Sequence, residues 1–477
     1  MSRRTKIVAT LGPASEDPAV ISAMVHAGVD VVRLNLSHGT IEDHLARLQT
    51  VRSVAEQVGR PIGVLADLPG PKLRAGRFPE GGSDIAPAAT VRFVPGPGTS
   101  TADRISVDYP TLLDDVEPGD RIVIGDGDIT LLVTAKDSDA IVAEVQSGGR
   151  TQGSPGVHLS CERLQMFAPT VRDLELAEAI AAAGVEYVAL SFVRRAADVL
   201  DLRAVVGDRA AICAKIETAS ALADLAGIIA AADAVMVARG DLGIDCPLED
   251  VPHLQKQIIR QCVSFGRPAI TATQMLESMT HAPAPTRAEV SDVANAVFDG
   301  TSAVMLSGET AIGDDPVAVV AAMSRIAARA ETEASYRQWA ERLAREQRSW
   351  EADTTSRITG AVSHAAWQAA IDAGASAILC CTRSGRTARA MARFRPDASL
   401  IGLSPDPRTV RALSLVWGVE PVHVEEYRSS DEMVWFAIET ALTNGLIDHG
   451  DIVLVLAGAP DRTRGAATDI LRVVEVE

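Results

Sequence analysis

The sequence predicts an α/β protein. Its first part is a closed (β/α)8 barrel of the TIM type with an inserted small β-barrel lid domain, and a C-terminal α/β sandwich domain follows. Three observations predict this. Short apolar runs alternate with amphipathic helical stretches eight times, the count that closes a parallel barrel. A Gly- and Pro-rich interval of short alternating segments interrupts the series after the third run. A charged connector then separates the eight units from a second strand–helix series. The expected divisions are 1–69 and 169–345 for the barrel, 70–168 for the lid and 354–477 for the last domain.

In chain order, the apolar runs are Lys6–Leu11, Val29–Leu36, Ile62–Asp67, Val185–Phe192, Ala211–Glu217, Ala234–Ala238, Pro268–Thr273 and Ala303–Leu306. Apolar on both faces and set between helices such as Ile41–Val58, Arg172–Ala183 and Val251–Phe265, they read as buried parallel strands. An open doubly wound sheet is the alternative, but it would not bring residues from all these strands to one place. The inserted interval holds strands at Thr90–Val94, Arg104–Val107, Arg121–Val133 and Ile141–Gln146, with Asp126-Gly127 as a primed-turn hairpin signal. Pro69-Gly70-Pro71 and Ala168-Pro169-Thr170 form a two-stranded hinge at its ends, as expected of a lid. Residues from about Ala330 to Asp353 are helical in pattern. The last domain opens with a helix at Ile358–Ala373 and a strand at Ala377–Cys381, and ends with strands at Ile452–Leu456 and Leu471–Val474.

The chain has 477 residues, 47% hydrophobic and 23% charged, enough for several cores and incompatible with wholesale disorder. A net charge of −18 argues against nucleic acid or an anionic membrane as a bulk partner, so any anion must be held by a local Arg and Lys cluster. The six cysteines show neither CxxC pairing nor metal-ligand spacing and read as buried free thiols. No stretch reads as a signal peptide or membrane span, and the expected location is the cytoplasm.

Chemistry concentrates at strand ends. The fifth ends Ala-Lys215-Ile-Glu217, and strand alternation points Lys215 and Glu217 the same way with Ile216 turned into the packing. The sixth runs into Arg239-Gly240-Asp241. Two carboxylates on neighbouring strand ends suit Mg2+ or Mn2+, a lysine beside them suits a phosphoryl group, and Gly240 admits a ligand to the backbone. A salt-bridged barrel rim without ligand is the bland alternative. Alternation also puts Arg33, Asn35 and Ser37 on one side of the second strand's end, followed by His38. Asp67 ends the third strand, with Lys72 and Arg74 in the turn beyond. Thr273 and Gln274 end the seventh strand, and Ser307 ends the eighth.

Together these stretches resemble pyruvate kinases along nearly the whole chain. The carrying motifs are Thr5–Ser15, Arg33–Gly39, Lys215-Ile216-Glu217, Ala238–Gly243, Ala272–Met279 and Pro285–Thr310. The resemblance implies transfer of the phosphoryl group of phosphoenolpyruvate to ADP, giving pyruvate and ATP in glycolysis. It implies Lys215, Arg33, Thr273 and Ser307 as catalytic residues, and Arg33, Ser191, Lys215, Gly240, Asp241 and Thr273 as substrate ligands. Asn35, His38 and Arg74 would serve the nucleotide, and Glu217 and Asp241 the divalent ion. Asn35, Ser37, Asp67 and Leu68 would form a monovalent cation site. Thr382, Arg383, Ser384, Gly385, Arg386 and Thr387, a loop opening a helix, would bind a phosphorylated effector, a well-capped helix start being the alternative. A homotetramer is implied as well.

Two departures from the family pattern matter. After the third strand, members that need a monovalent cation resemble Asp-Thr-Lys-Gly-Pro-Glu, whereas Asp67-Leu68-Pro69-Gly70-Pro71-Lys72 stands here. The ammonium of Lys72 can supply the charge of K+, so activity without K+ is expected. In the lid, Lys-Gly-Val-Asn-Leu-Pro-Gly is replaced by Pro155-Gly156-Val157-His158-Leu159-Ser160-Cys161. Losing that lysine removes a charge-assisted contact worth about 1.5–3 kcal/mol, for which Arg150 or His158 could substitute. The alternatives are a catalytically weak regulatory paralogue and a phosphoenolpyruvate- or pyruvate-handling barrel with another acceptor.

Overall fold

The computed structural model describes residues 3–477 apart from 126, 128, 161–162, 164–166, 335, 337–338, 342, 344–353, 427–428 and 459–466. Eight parallel strands close into a barrel: Lys6–Thr10, Val31–Asn35, Gly63–Asp67, Tyr187–Leu190, Ala211–Ile216, Ala234–Ala238, Ala269–Ala272 and Ala303–Leu306. Each pairs with its neighbours in chain order, and the first closes on the eighth. Six strands are one to four residues shorter than the apolar runs that predict them, the fourth most of all, because the outer residues turn into loops.

Alternation sorts the strand residues into two cores. One set, including Val8, Leu65, Ala189, Cys213, Met236 and Met305, fills the barrel interior. The other, including Ile7, Val64, Val188, Ile216 and Val304, packs outward on the helices. Stepping two residues along an inward row leads from Leu65 to Asp67, from Ala189 to Ser191, and from Cys213 to Lys215 and Glu217. The polar groups at the mouth thus continue the rows that fill the core.

The lid leaves the barrel after the third strand. Six of its strands form a half-barrel sheet in the order Val157–Ser160, Arg121–Ile124, Ile129–Lys136, Ile141–Ser147, Thr90–Pro95, Arg104–Val107, around its own apolar core. The hairpin expected within Arg121–Val133 forms, as two antiparallel strands joined through 125–128, a four-residue connection rather than a two-residue turn. Gly125 and Gly127 take φ of 74° and 115° there, and Asp126 lies outside the described residues. At the hinge, buried Asp173 accepts from Gly70 N at 3.0 Å and from Thr170 N at 2.8 Å, joining the two connecting segments. Gly70 has φ 68°, and a Cβ there would lie 2.9 Å from both Ser191 and Phe192 side chains, so only glycine fits.

The C-terminal domain is a five-stranded sheet ordered Val419–His423, Ser399–Ser404, Ala377–Cys381, Ile452–Gly458, Thr468–Glu475. Its last strand runs antiparallel to the one before it, so the domain ends on a strand pair and not on a strand–helix unit. The helix that opens it spans Thr354–Ala373, four residues earlier than expected, and much of the expected connector (344–353) lies outside the described residues. This domain caps the N-terminal end of the barrel. Leu415 joins the barrel's interior core, Tyr187 Oη donates to Ala412 O at 2.8 Å, and Lys6 Nζ donates to Val419 O at 2.8 Å.

The same end holds a buried ion cluster. Asp30 accepts from Arg3 and from Ile7 N, each at 2.8 Å, and from Arg60 at 3.4 Å, with Lys6 Nζ 3.9 Å away. Burial alone would raise its carboxyl, but Arg3, Lys6, the Ile7 N–H and Arg60 together hold it below the usual carboxylate range. Its contribution to stability is therefore complete above the unfolded-chain value and is lost as pH falls through the lower folded value. Asp30→Asn should cost about 3 kcal/mol at neutral pH, since it leaves buried cations unpaired. Urea midpoints of the two proteins should converge in acid, and a variant within 0.5 kcal/mol (about a twofold change in the folding constant) at neutral pH would contradict this reading.

Five cysteines, 213, 246, 262, 380 and 381, are buried free thiols; Cys161 lies outside the described residues. No helix among the described residues is long and apolar enough to cross a membrane.

Candidate active site

The barrel's C-terminal mouth is organised around Lys215. Its Nζ lies 2.9 Å from Glu217 Oε1 and 3.2 Å from Asp67 Oδ1, and it donates to Ser191 Oγ at 2.7 Å. Asp67 also receives Arg33, through Nη2 at 2.6 Å and Nε at 2.8 Å. Arg33 Nη1 adds a bond to Thr10 Oγ1 at 3.1 Å. Side chains from the first five barrel strands and the loops beyond them thus share one network, with Lys215, Glu217, Asp67 and Ser191 all buried.

Burial disfavours the ammonium of Lys215, but Asp67 and Glu217 more than offset that and hold its pKa well above the ordinary lysine value. It is a fixed cation at neutral pH. Glu217 is pushed up by burial first and by the charge of Asp241, against the opposing pull of Lys215. Its Oε2 accepts from Phe192 N at 2.6 Å. A buried carboxylate raised by a neighbouring carboxylate is relieved by a cation placed between them. The donor set of Glu217 and Asp241 fits a hard divalent ion that takes its other oxygens from substrate and water. Among the described residues, no group of three or more His, Cys, Asp or Glu side chains gathers to enclose a metal.

Beside this centre, the seventh strand ends in two residues with left-handed backbone, Thr273 (φ 68°) and Gln274 (φ 53°). Phe192, after the fourth strand, has φ 57°. Such conformations persist for non-glycine residues only where the surroundings hold them. Arg239 holds the Thr273 turn by donating to Ala272 O at 3.2 Å and Thr273 O at 2.7 Å, itself fixed by Asp292 at 2.7 Å. The result aims Gly240 N at Thr273 Oγ1, 2.8 Å away. A Cβ on Gly240 would meet nothing in the protein closer than 3.5 Å, so the chain itself does not require glycine there. Ser307 is held through its backbone N–H by buried Glu309, at 2.6 Å.

The expected nucleotide residues sit on the lid side of the mouth. His38 is lowered first by partial burial and then by Arg74, Lys72 and Arg33, which places those cations around it. Arg74 bridges to Gly156 of the lid and donates to Ser154 O at 3.1 Å. Lys72 is exposed, and a Cβ on Gly156 would lie 3.3 Å from Lys72 Cε and 3.6 Å from His158 Nε2. Lys72 therefore extends toward the lid, while Asp67 is engaged by Arg33 and Lys215. Asn35 Oδ1 accepts from Ser37 N at 3.2 Å, and Leu68 O accepts from Ser191 Oγ at 2.7 Å, so two of the expected monovalent-site oxygens serve internal bonds. Arg150 is engaged by Asp84 at 3.1 Å.

The loop Thr382–Thr387 is not part of this mouth. It lies in the domain that caps the barrel's opposite end, with Arg383 3.7 Å from Glu426 and Arg389 Nη2 donating to Ser384 O at 2.9 Å. Thr10, Phe192, Arg239 and Glu309 are site residues that sequence reasoning left without a role. Arg239 stood inside a quoted motif and Thr10 on the inward row of the first strand. Nothing local marks Phe192, whose contribution is a backbone N–H.

A (β/α)8 barrel with a buried lysine between carboxylates at its C-terminal mouth, and with Lys72 and Arg74 beside His38, has the makings of a phosphoryl-transfer barrel enzyme. Residues 2–320 match the family model for the pyruvate kinase barrel domain, and residues 360–474 match that for the pyruvate kinase alpha/beta domain. The pyruvate kinase of Methylorubrum extorquens is 42% identical over all of this chain and 98% of its own length. That of Geobacillus stearothermophilus is 40% identical over 99% of this chain and 80% of its own length, and that of Mycobacterium tuberculosis 40% over 99% and 98%. The chain belongs to the pyruvate kinase family.

Proposed function

We propose that this protein is a working pyruvate kinase, moving the phosphoryl group of phosphoenolpyruvate to ADP, and that the mouth around Lys215 performs the transfer. The carrying observation is a buried ammonium held charged by Asp67 and Glu217 beside a second fixed cation, Arg33. Charge spread over the equatorial oxygens of a loose phosphoryl transition state needs such fixed cations. Lys215 and Arg33 take these oxygens, and Ser191 steadies Lys215. Glu217 and Asp241 would hold Mg2+ or Mn2+, which when bound supplies charge neutralisation between phosphoryl and carboxylate oxygens. The Gly240 and Asp241 backbone and the Thr273 hydroxyl take the substrate carboxylate; the meeting of Gly240 N with Thr273 Oγ1 at 2.8 Å, which brings the two groups to one point, supports this. As the bond from phosphorus to the enol oxygen breaks, one to the ADP terminal phosphate forms. The enolate is then protonated at carbon through Thr273, Ser307 and a water, yielding pyruvate.

Arg74, His38 and Asn35 receive the nucleotide phosphates, and the cations around His38 support that placement. A phosphorylated effector at Thr382–Thr387, a homotetramer and a cytoplasmic location remain part of this reading, carried by family membership. Pyruvate formation from phosphoenolpyruvate and ADP with Mg2+ tests it. No turnover, with Mn2+ and other nucleoside diphosphates also tried, would favour a regulatory paralogue.

Lys72 gives a separate prediction. We propose that catalysis does not require K+, because a lysine stands where K+-dependent members carry an acid. Lys72→Glu should then make turnover depend on added K+. The position of Lys72 beside Gly156 and His158 adds a second expectation, a tenfold rise (about 1.4 kcal/mol) in the KM for ADP in Lys72→Met with the KM for phosphoenolpyruvate unchanged. Wild-type turnover that needs K+ would refute the first expectation, and an unchanged ADP KM the second.

A further inference from the structure

A loop between the second barrel strand and the helix Ile41–Val58 brings His38 to the mouth, and His44 holds that loop from the helix. His44 stands on the first turn of the helix and is 2% exposed. Its Nε2 lies 2.7 Å from His38 O. A carbonyl oxygen only accepts, so Nε2 carries the ring proton and donates, which leaves Nδ1 as an acceptor. That Nδ1 is buried and meets no donor among the described residues. Burial first, and then Arg47 and His38, lower the ring below the ordinary histidine value against the His38 carbonyl and Asp43, so it is neutral at neutral pH.

Packing alone does not call for a histidine there. The other buried side chains of the helix named with it are Leu48, Val51 and Val54, and positions 44, 48 and 51 fall on one face. The fourth helical position ordinarily takes an apolar residue that packs on the residue before the cap. Here the residue before the cap Thr40 is Gly39, which has φ 79° and no side chain to pack. A Cβ on Gly39 would lie 3.7 Å from His44 Nε2. The ring therefore reaches past the cap to His38, and leaves a buried acceptor unmet that a leucine would not have.

Other bonds hold His38 weakly. Its N–H reaches Asn35 O only at 3.4 Å, and Asn35 Oδ1 is taken by Ser37 N. The reciprocal cap between Thr40 and Asp43 stops at Thr40. His38 itself is exposed, with Arg74, Lys72 and Arg33 around it. Fixing its carbonyl fixes the peptide that sets where its side chain projects, and a loop ordered in advance loses less freedom on binding.

We propose that His44 is a positioning residue, which holds the backbone of His38 so that the His38 side chain stands ready for the nucleotide phosphates. The proposal rests on the reading of His38 as a nucleotide residue. His44 acts on ADP and not on phosphoenolpyruvate, whose cations are held elsewhere, Lys215 by Asp67, Glu217 and Ser191 and Arg33 by Asp67 and Thr10.

Steady-state kinetics of His44→Leu, His44→Gln, His44→Asn and His38→Ala test it, with melting curves to confirm the fold. A glutamine amide N takes the place of Nε2 and an asparagine amide N that of Nδ1, so only glutamine reaches the His38 carbonyl. The KM for ADP should rise about tenfold (about 1.4 kcal/mol) in His44→Leu and His44→Asn, with the KM for phosphoenolpyruvate unchanged. His44→Gln should recover most of that loss, and the comparison of the two amides holds even if His44→Leu fails to fold. In a His38→Ala background, His44→Leu should add nothing further, because residues acting as one unit are not additive. Equal effects of the two amides, a parallel rise in both KM values, or full additivity with His38→Ala would each overturn the proposal. An ADP KM raised in His38→Ala but not in His44→Leu would overturn it and leave the nucleotide reading standing. An ADP KM unchanged in His38→Ala would remove His38 from the nucleotide site, and the proposal with it.

Discussion

Lys215→Met should lower kcat by about 10³-fold or more, the scale expected when a fixed cation on a transferring phosphoryl group is removed. Lys215 is the group to which Asp67, Ser191 and Glu217 all turn, and none of the three can replace a positive charge. The fold should survive, because Asp67 keeps Arg33 and Glu217 keeps the Phe192 N–H. A melting curve separates loss of structure from loss of chemistry. Exchange of pyruvate methyl protons with solvent, the proton-transfer half of the reaction run backwards, should fall far less if Thr273 and Ser307 conduct that proton. A folded Lys215→Met enzyme within tenfold of wild type would remove Lys215 from the chemistry.

Glu217→Gln should weaken Mn2+ binding by at least about 100-fold, judged against the 10–100-fold that even supporting residues of metal sites contribute. Turnover should drop by a similar or larger factor. The carboxylate is buried and already crowded by Asp241, so it gains more from a cation than an exposed acid would. The amide keeps the shape and can still accept from Phe192 N, so the loss reports charge. Electron paramagnetic resonance of free Mn2+ gives the affinity directly. Unchanged Mn2+ affinity in Glu217→Gln would move the metal elsewhere, whatever happened to activity.

Much of this was legible because strand alternation is a local rule. Lys215 and Glu217 share a face whatever the barrel does, and Ile216 packs outward as the alternation demands. The count of eight runs predicted closure, since a parallel sheet of that size with helices outside has few other ways to cover both faces. Strand ends were less legible: the second run extends to Leu36 in sequence but the strand stops at Asn35, where the chain turns to aim Ser37 N at Asn35 Oδ1. The hairpin at 125–128 shows the same limit, because loop length depends on the register of the two strands and not on the dipeptide within it.

Lys72 marks the boundary most clearly. The sequence could say that a cation stands beside Asp67 in the chain. Only the fold shows that Asp67 is already enclosed by Arg33 and Lys215 while Lys72 lies along the lid. Left-handed Thr273 and Phe192 and the Arg239 clamp were likewise invisible. What the sequence determined by itself was the family, the barrel with its lid, and the identity of most groups at the mouth, because these follow from periodicity and short motifs. What only the tertiary structure decided was which charges meet. Such meetings join residues far apart in the chain, as Arg33 joins Asp67 and Arg239 joins Asp292, and no local pattern encodes a distance across space.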